Sequence, residues 1–119
     1  MSAGKNLATR REIGGAIILG LDVDPQTRCA HYRSERDIVA IKFKCCGDWF
    51  SCHECHALLA GHAGQVWPKE EFDERAVLCG NCAQQLSIAE YLRSDSVCPR
   101  CQSQFNPGCT QHHHLYFEM

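Results

Sequence analysis

Cys79-x2-Cys82-x15-Cys98-x2-Cys101 places four thiols in two matched pairs. That spacing falls within the window of four-thiolate zinc sites. Two residues between the cysteines let a tight turn aim both sulfurs at one point. Two such turns close a tetrahedron at Zn–S of ~2.3 Å and leave no position for water. Gly80 and Pro99 suit the two turns. The competing chemistry is thiol–disulfide exchange, because Cys79-Gly80-Asn81-Cys82 has the outward form of a redox motif. No βαβ pattern surrounds it, and two pairs at ribbon spacing favour zinc.

The first half of the chain is richer in donors and less regular. It holds Cys29-x-His31, Cys45-Cys46, Cys52-x2-Cys55-His56 and His62, eight candidate ligands and enough for two tetrahedral sites. Cys55 and His56 are neighbours, so their side chains diverge and can serve different ions. His56 and His62 are too far round a helix to converge unless the chain bends, and Gly61 permits a bend. His53 reads as an exposed residue at a helix start. Cys109-x2-His112, followed by His113 and His114, has ligand-like spacing. It reads either as a free thiol in a polar tail or as a weaker fourth metal position.

Cys29-Ala30-His31-Tyr32, then Cys45-Cys46, then Cys52-x2-Cys55-His56-x5-His62, then two C-x2-C pairs resembles the CHY-type zinc finger family. The likeness runs from Cys29 to Cys101 and keeps the order of all twelve ligand positions. It implies three zinc ions per chain, with the ligands of the first two interleaved. Carried over, Cys29, His31, Cys52 and Cys55 hold one ion. Cys45, Cys46, His56 and His62 hold the second, and Cys79, Cys82, Cys98 and Cys101 the third. Adjacent strand residues point to opposite faces, so Cys45 and Cys46 share an ion only if the backbone turns there. Gly47 allows that turn, and the alternative divides the two cysteines between the first two ions.

These donors need short elements to hold them. Residues 16–23 and 37–44 have strand character, with Val39, Ile41 and Phe43 on one face of the second. Trp49-Phe50 reads as a short return strand and residues 53–59 as a helix starting at the Cys52–Cys55 turn. Residues 76–78 lead as a strand into Cys79. Ser87-Ile88-Ala89-Glu90 is a capping box opening a helix through Leu92. The acidic stretch Glu70, Glu71, Asp73 and Glu74 reads as a solvated turn or helix, and Tyr32, Trp49, Trp67 and Phe105 as packing around the knuckles. The expected fold is a small zinc-stabilised α+β domain, irregular, with short antiparallel strands, zinc knuckles and two short helices. Its C-terminal half is like a zinc ribbon. Residues 1–12 are expected as a disordered tail and 106–119 as a C-terminal tail. Between them, residues 13–105 form the finger, with two interleaved sites in 13–66 and the ribbon in 67–105.

Composition sets the physical frame. Of 119 residues, 10 are Cys and 7 are His. Hydrophobic residues make up 45% only with the cysteines included, so the core is modest for this length and leans on crosslinks. The formal charge is -2, and nine thiolates against three dications lower it further. That argues against nucleic-acid partners. The longest apolar run, residues 16–21, is far short of the ~20 residues of a membrane span and too short for a secretory leader.

Enzyme activity is not expected. Catalytic zinc keeps an open position, whereas every site here can be filled by protein. Glu54 is followed by Cys55 and His56, so the H-E-x-x-H pattern is absent. Pro99 lies inside its cysteine pair, which breaks the deaminase signature. Family members that also carry a RING domain are ubiquitin ligases, but with only Cys109 outside the three sets this chain lacks the cysteines for one. Its length is closer to the short stand-alone members. That likeness implies a zinc-binding protein acting on protein partners, as a zinc-handling or assembly factor. The alternative is a thiol-disulfide redox sensor or redox helper using exposed C-x2-C pairs. A cytoplasmic location is expected, with the mitochondrial intermembrane space as the alternative.

Overall fold

Gly14 and Gly15 make the first turn. Both hold a positive φ, 58° and 84°, as a two-residue type I′ hairpin loop requires. They join β1 (Ala8–Ile13) to β2 (Ala16–Leu21), with Ile13 opposite Ala16 and Ala8 opposite Leu21. The computed structural model describes residues 8–118, with the side chains of Cys109 and Thr110 outside the description. The disordered tail expected over residues 1–12 is therefore corrected. Residues 8–12 lie in an edge strand, and residues 1–7 fall outside the described residues. This strand is polar and largely exposed, so it carries little apolar period. Side-chain bonds to the backbone hold it instead. Thr9 Oγ1 donates to the Gly20 carbonyl (3.0 Å) and accepts from Val23 N–H (2.9 Å), and Arg11 Nε donates to the Val23 carbonyl (2.9 Å).

Four shorter strands extend the sheet: β3 (Val39–Lys42), β4 (Trp49–Phe50), β5 (Val77–Cys79) and β6 (Gln85–Leu86). The order is β1-β2-β4-β3-β5-β6. Every pairing is antiparallel except β2 with β4, which run parallel with Ile18 opposite Trp49. Helix α1 (His53–Leu59) follows β4 directly, and its N-cap is Cys52, whose sulfur accepts from Cys55 N–H. Helix α2 (Ile88–Leu92) opens on the expected capping box. Ser87 Oγ accepts from Glu90 N–H (3.1 Å), and Glu90 Oε1 accepts from Ser87 N–H (2.9 Å).

Phe50, Phe105, Phe117, Ile88 and Leu86 are buried in one cluster with Cys29, Cys52, Cys55, Cys79 and Cys98. Sulfur is thus part of the core rather than an ornament on it. The C-terminal tail expected over residues 106–119 is a second correction. Pro107–Leu115 forms a 3-10 helix, after which Tyr116 and Phe117 are buried at 8% and 0% exposure. Trp67 N–H donates to the Tyr116 carbonyl and Glu118 N–H to the Trp67 carbonyl, both at 2.9 Å. The Tyr116 hydroxyl accepts from His53 N–H at 3.0 Å, tying this segment to the first turn of α1. Phe117→Ala should therefore lower the stability of the zinc-loaded protein by about 3–5 kcal/mol, as for other buried Phe truncations. Denaturant unfolding of the two loaded proteins measures the difference, and a change below ~1 kcal/mol would show that the segment is not part of the core.

Candidate metal centres

The first centre is assembled from a loop and a helix start. After β2 the chain turns back, with Ala30 N–H on the Leu21 carbonyl (2.9 Å) and Cys29 N–H on the Tyr32 carbonyl (3.2 Å). Cys29 and His31 thereby face the Cys52–Cys55 turn that begins α1. Cys29 Sγ lies 3.6 Å from Cys52 Sγ. His31 Nδ1 lies 3.8, 3.4 and 3.5 Å from the sulfurs of Cys29, Cys52 and Cys55. Cys55 N–H and Leu21 N–H donate to the sulfurs of Cys52 and Cys55, at 3.3 and 3.4 Å.

The second centre uses the residue next door on α1. One helical step turns the side chain by about 100°, so His56 points away from Cys55 and toward Phe43, just past the end of β3. Beyond β3 the backbone does turn. Phe43 N–H meets the Asp48 carbonyl (3.0 Å), Gly47 N–H returns to the Phe43 carbonyl (2.8 Å), and Gly47 holds φ 72°. Cys45 and Cys46 therefore leave the strand alternation and come to one side, their sulfurs 3.9 Å apart. His56 Nε2 and His62 Nε2 each lie 3.3 Å from Cys45 Sγ. The bend that brings His62 back is at Gly61, φ 74°, just past the end of α1. The His56 ring is clamped, stacked on Phe43 with centroids 4.1 Å apart and edge-on to Phe50 at 4.9 Å.

The third centre is two copies of one turn. Ala83 N–H bonds the Cys79 carbonyl (2.8 Å), and Gln102 N–H bonds the Cys98 carbonyl (2.9 Å). Both of these fifth residues sit at positive φ, 64° and 68°. Each first cysteine donates its own N–H five residues on, Cys79 to Gln84 (3.0 Å) and Cys98 to Ser103 (2.8 Å). The repeated geometry faces the pairs across from one another. Cys79 lies 3.8 Å from Cys101, and Cys82 3.8 Å from Cys98.

Three groups result among the described residues. They are Cys29, His31, Cys52 and Cys55; Cys45, Cys46, His56 and His62; and Cys79, Cys82, Cys98 and Cys101. Within each, the four ligand atoms lie within 4.8 Å of one another. A zinc tetrahedron with Zn–S ~2.3 Å and Zn–N ~2.0–2.1 Å has edges of about 3.8 Å between sulfurs and about 3.6 Å between sulfur and nitrogen. The observed separations match those edges and are far from the ~2.05 Å of a disulfide. Each set offers four donors and fits one closed zinc site, so the described residues form three zinc sites.

The thiols need a cation at these distances. In the first centre, hydrogen bonds from Cys52 and Cys55 hold the Cys29 thiol far down, while the bond to Cys29 drives Cys52 up. One negative charge is accommodated there, and three are not. Burial pushes the thiols of Cys46, Cys79 and Cys82 up. Burial also works against Cys101, but the Asn81 amide and Ser103 hold it down at about 6. Held by these donors, a dication would offset the repulsion among the thiolates, which must lose their protons to bind it.

Two residues outside these sets differ from expectation. His53 is half-buried rather than exposed, with Nε2 3.2 Å from the Tyr32 hydroxyl. His112 packs on Tyr32 and His53, with ring centroids at 5.9 and 4.9 Å. It joins none of the three donor groups, and the Cys109 side chain expected beside it lies outside the described residues. The signal for this aromatic cluster was Tyr32 itself, an amphipathic ring next to a ligand. Among the described residues, no helix is long and apolar enough to cross a membrane.

The CHY zinc finger family model matches residues 29–107, a span that holds all twelve donors. The hairpin β1–β2 and most of the closing 3-10 helix lie outside it. Helper of Tim protein 13 of Saccharomyces cerevisiae is 41% identical over 109 residues, which cover 85% of this chain and 90% of that protein. Helper of Tim protein 13 of Kluyveromyces lactis is 42% identical over 103 residues, covering 86% and 89%. An uncharacterized protein of Schizosaccharomyces pombe is 40% identical over 101 residues, covering 85% and 88%. No solved structure matches the chain.

Proposed function

The chain belongs to the CHY zinc finger family, and from that premise we propose that it works by binding protein partners, as a zinc-handling or protein-assembly factor without catalytic activity. The observation that carries the reading is the likeness to two proteins named Helper of Tim over about nine-tenths of their length. The partners we assign are Tim proteins, and the compartment is the mitochondrial intermembrane space in preference to the cytoplasm. Nucleic acid and membrane are not among the partners in this reading. Four protein donors per ion support the non-catalytic part, since a reacting water needs an open coordination position.

The thiol-redox alternative gains no support from the geometry. In the ribbon, cross-knuckle sulfurs stand 3.8 Å apart, at tetrahedral rather than disulfide spacing. The test is capture of clients by the zinc-loaded protein from the soluble fraction between the two mitochondrial membranes, with bound proteins identified by mass spectrometry. Enrichment of Tim proteins by the loaded but not the chelated form supports the assignment. Recovery of none overturns it. Titration with a thiol reagent separates the alternative. Ligand thiols should stay unreactive until a chelator is added, whereas disulfide formation with metal release under mild oxidant would favour a redox role.

A further inference from the structure

The three centres are not equally enclosed. In the first, three of the four ligands are buried, and in the ribbon two are buried and two half-buried. In the second only His56 is buried, and His62 is exposed. His62 also sits on an exposed segment. Residues 61–66 are exposed without a break, and they hang from Gly61, beside whose Cα there is open space. The half-buried ribbon ligands are better tethered, since Cys82 lies inside a knuckle turn and Cys101 accepts from the Asn81 amide at 3.5 Å.

Charge and access point the same way. The second set offers two cysteines and two histidines, against three cysteines in the first and four in the third, so a bound ion would face two thiolates there rather than three or four. Coulomb attraction for a dication is therefore weakest there. A groove of about 460 Å³ opens between Phe43, Ala57, Ala63 and Leu115 directly onto His56 and His62. From these observations the geometry points to Cys45, Cys46, His56 and His62 as the exchangeable centre, with His62 the ligand that lets go first and an incoming thiolate or imidazole taking its place through the groove. The step is ligand substitution. One donor lone pair replaces another, and no electron or proton needs to move. The other two centres hold the fold. This inference rests on the zinc-handling reading for its biological use, but ion release from the isolated protein tests it without any client.

The experiment is release of zinc from the fully loaded chain into an excess of the chromogenic chelator 4-(2-pyridylazo)resorcinol. One equivalent should leave at least about tenfold faster than the other two, the lower end of what a single altered interaction around a metal costs in affinity. The fast phase should coincide with shifts of the His56 and His62 imidazole signals in NMR spectra, while the His31 signals hold. His62→Ala should leave two slow equivalents, and His62→Cys should keep three while slowing the fast one. Release of all three at one rate, a fast phase unchanged in both variants, or early movement of the His31 signals would each overturn the assignment. Loss of client binding with the fast phase intact would instead count against the functional reading above.

Discussion

Chelation of all three ions will unfold the chain. A structural zinc site supplies ~10–16 kcal/mol of apparent binding free energy in small peptides, and a whole domain is stable by only ~5–15 kcal/mol. Three such terms cannot be withdrawn from a fold of this size. The geometry says why nothing takes their place. Cys29, Cys55, Cys79 and Cys98 are buried at 1% exposure or less, so their sulfurs occupy positions that a larger protein would give to leucine or phenylalanine. With the ions gone, each cluster must either keep thiolates within 4.8 Å of one another or protonate them and lose the bonds that converge there. Circular dichroism and amide NMR dispersion after dialysis against excess chelator read the outcome. Collapse of the dispersed spectrum is expected, and its return on adding three equivalents of zinc. A chelated chain that keeps its dispersed spectrum would show that packing alone suffices.

Acid should reach the same end by another route. Ligand thiolates and imidazoles must be deprotonated to bind, so zinc leaves and stability falls as pH drops. His113 adds a smaller effect of the same sign. Burial, followed by repulsion from His112, lowers its pKa from the usual histidine value. The folded state therefore binds fewer protons than the unfolded state in that range. That contribution is present above the ordinary histidine pKa and is lost as pH falls through the lowered one.

The parts of the molecule that were legible in the sequence are those specified locally. The ribbon spacing, the helix at 53–59 and the capping box at Ser87 each depend on residues within a few positions of one another. The turn after β3 could be anticipated from Gly47, though which ion Cys46 joins depends on where Phe43 and Phe50 hold the His56 ring. What escaped was set by contacts distant in sequence. Residues 8–12 read as part of a tail because an edge strand with three charged residues shows no apolar face, although the Gly14-Gly15 pair carries its hairpin signal. Phe117 looked like part of a tail because its partners, Phe72 at 6.2 Å and Tyr91 at 6.2 Å between ring centroids, are 45 and 26 positions away. The parallel pairing of β2 with β4 joins strands that are not neighbours in the chain, and no local pattern announces it.

Cys98→Ser should remove one ion and unfold one half of the molecule while sparing the other. Cys98 is fully buried and is positioned twice over, by its N–H on the Ser103 carbonyl (2.8 Å) and by Arg100 N–H on its sulfur (3.4 Å). A serine oxygen is a poor zinc ligand and too short to reach the same point, so three donors and a gap remain. The loss of ~10–16 kcal/mol of binding then falls on residues 76–105, where Cys79, Cys82 and Cys101 have lost their common anchor. Damage should stop at β3. That strand pairs with β5 through Val39–Cys79 and Ile41–Val77 on one side, but β4 supports it on the other through Ile41–Phe50. The eight donors of the first two centres all lie between residues 29 and 62. Metal analysis should therefore give two zinc ions in place of three. Amide exchange should speed up across 76–105 while β1, β2 and α1 keep their protection. Cys109→Ser provides the contrast and should retain all three ions. Three ions retained by Cys98→Ser, or two by Cys109→Ser, would reassign the ribbon. Protection lost throughout the chain would show that the ribbon also holds the interleaved half together.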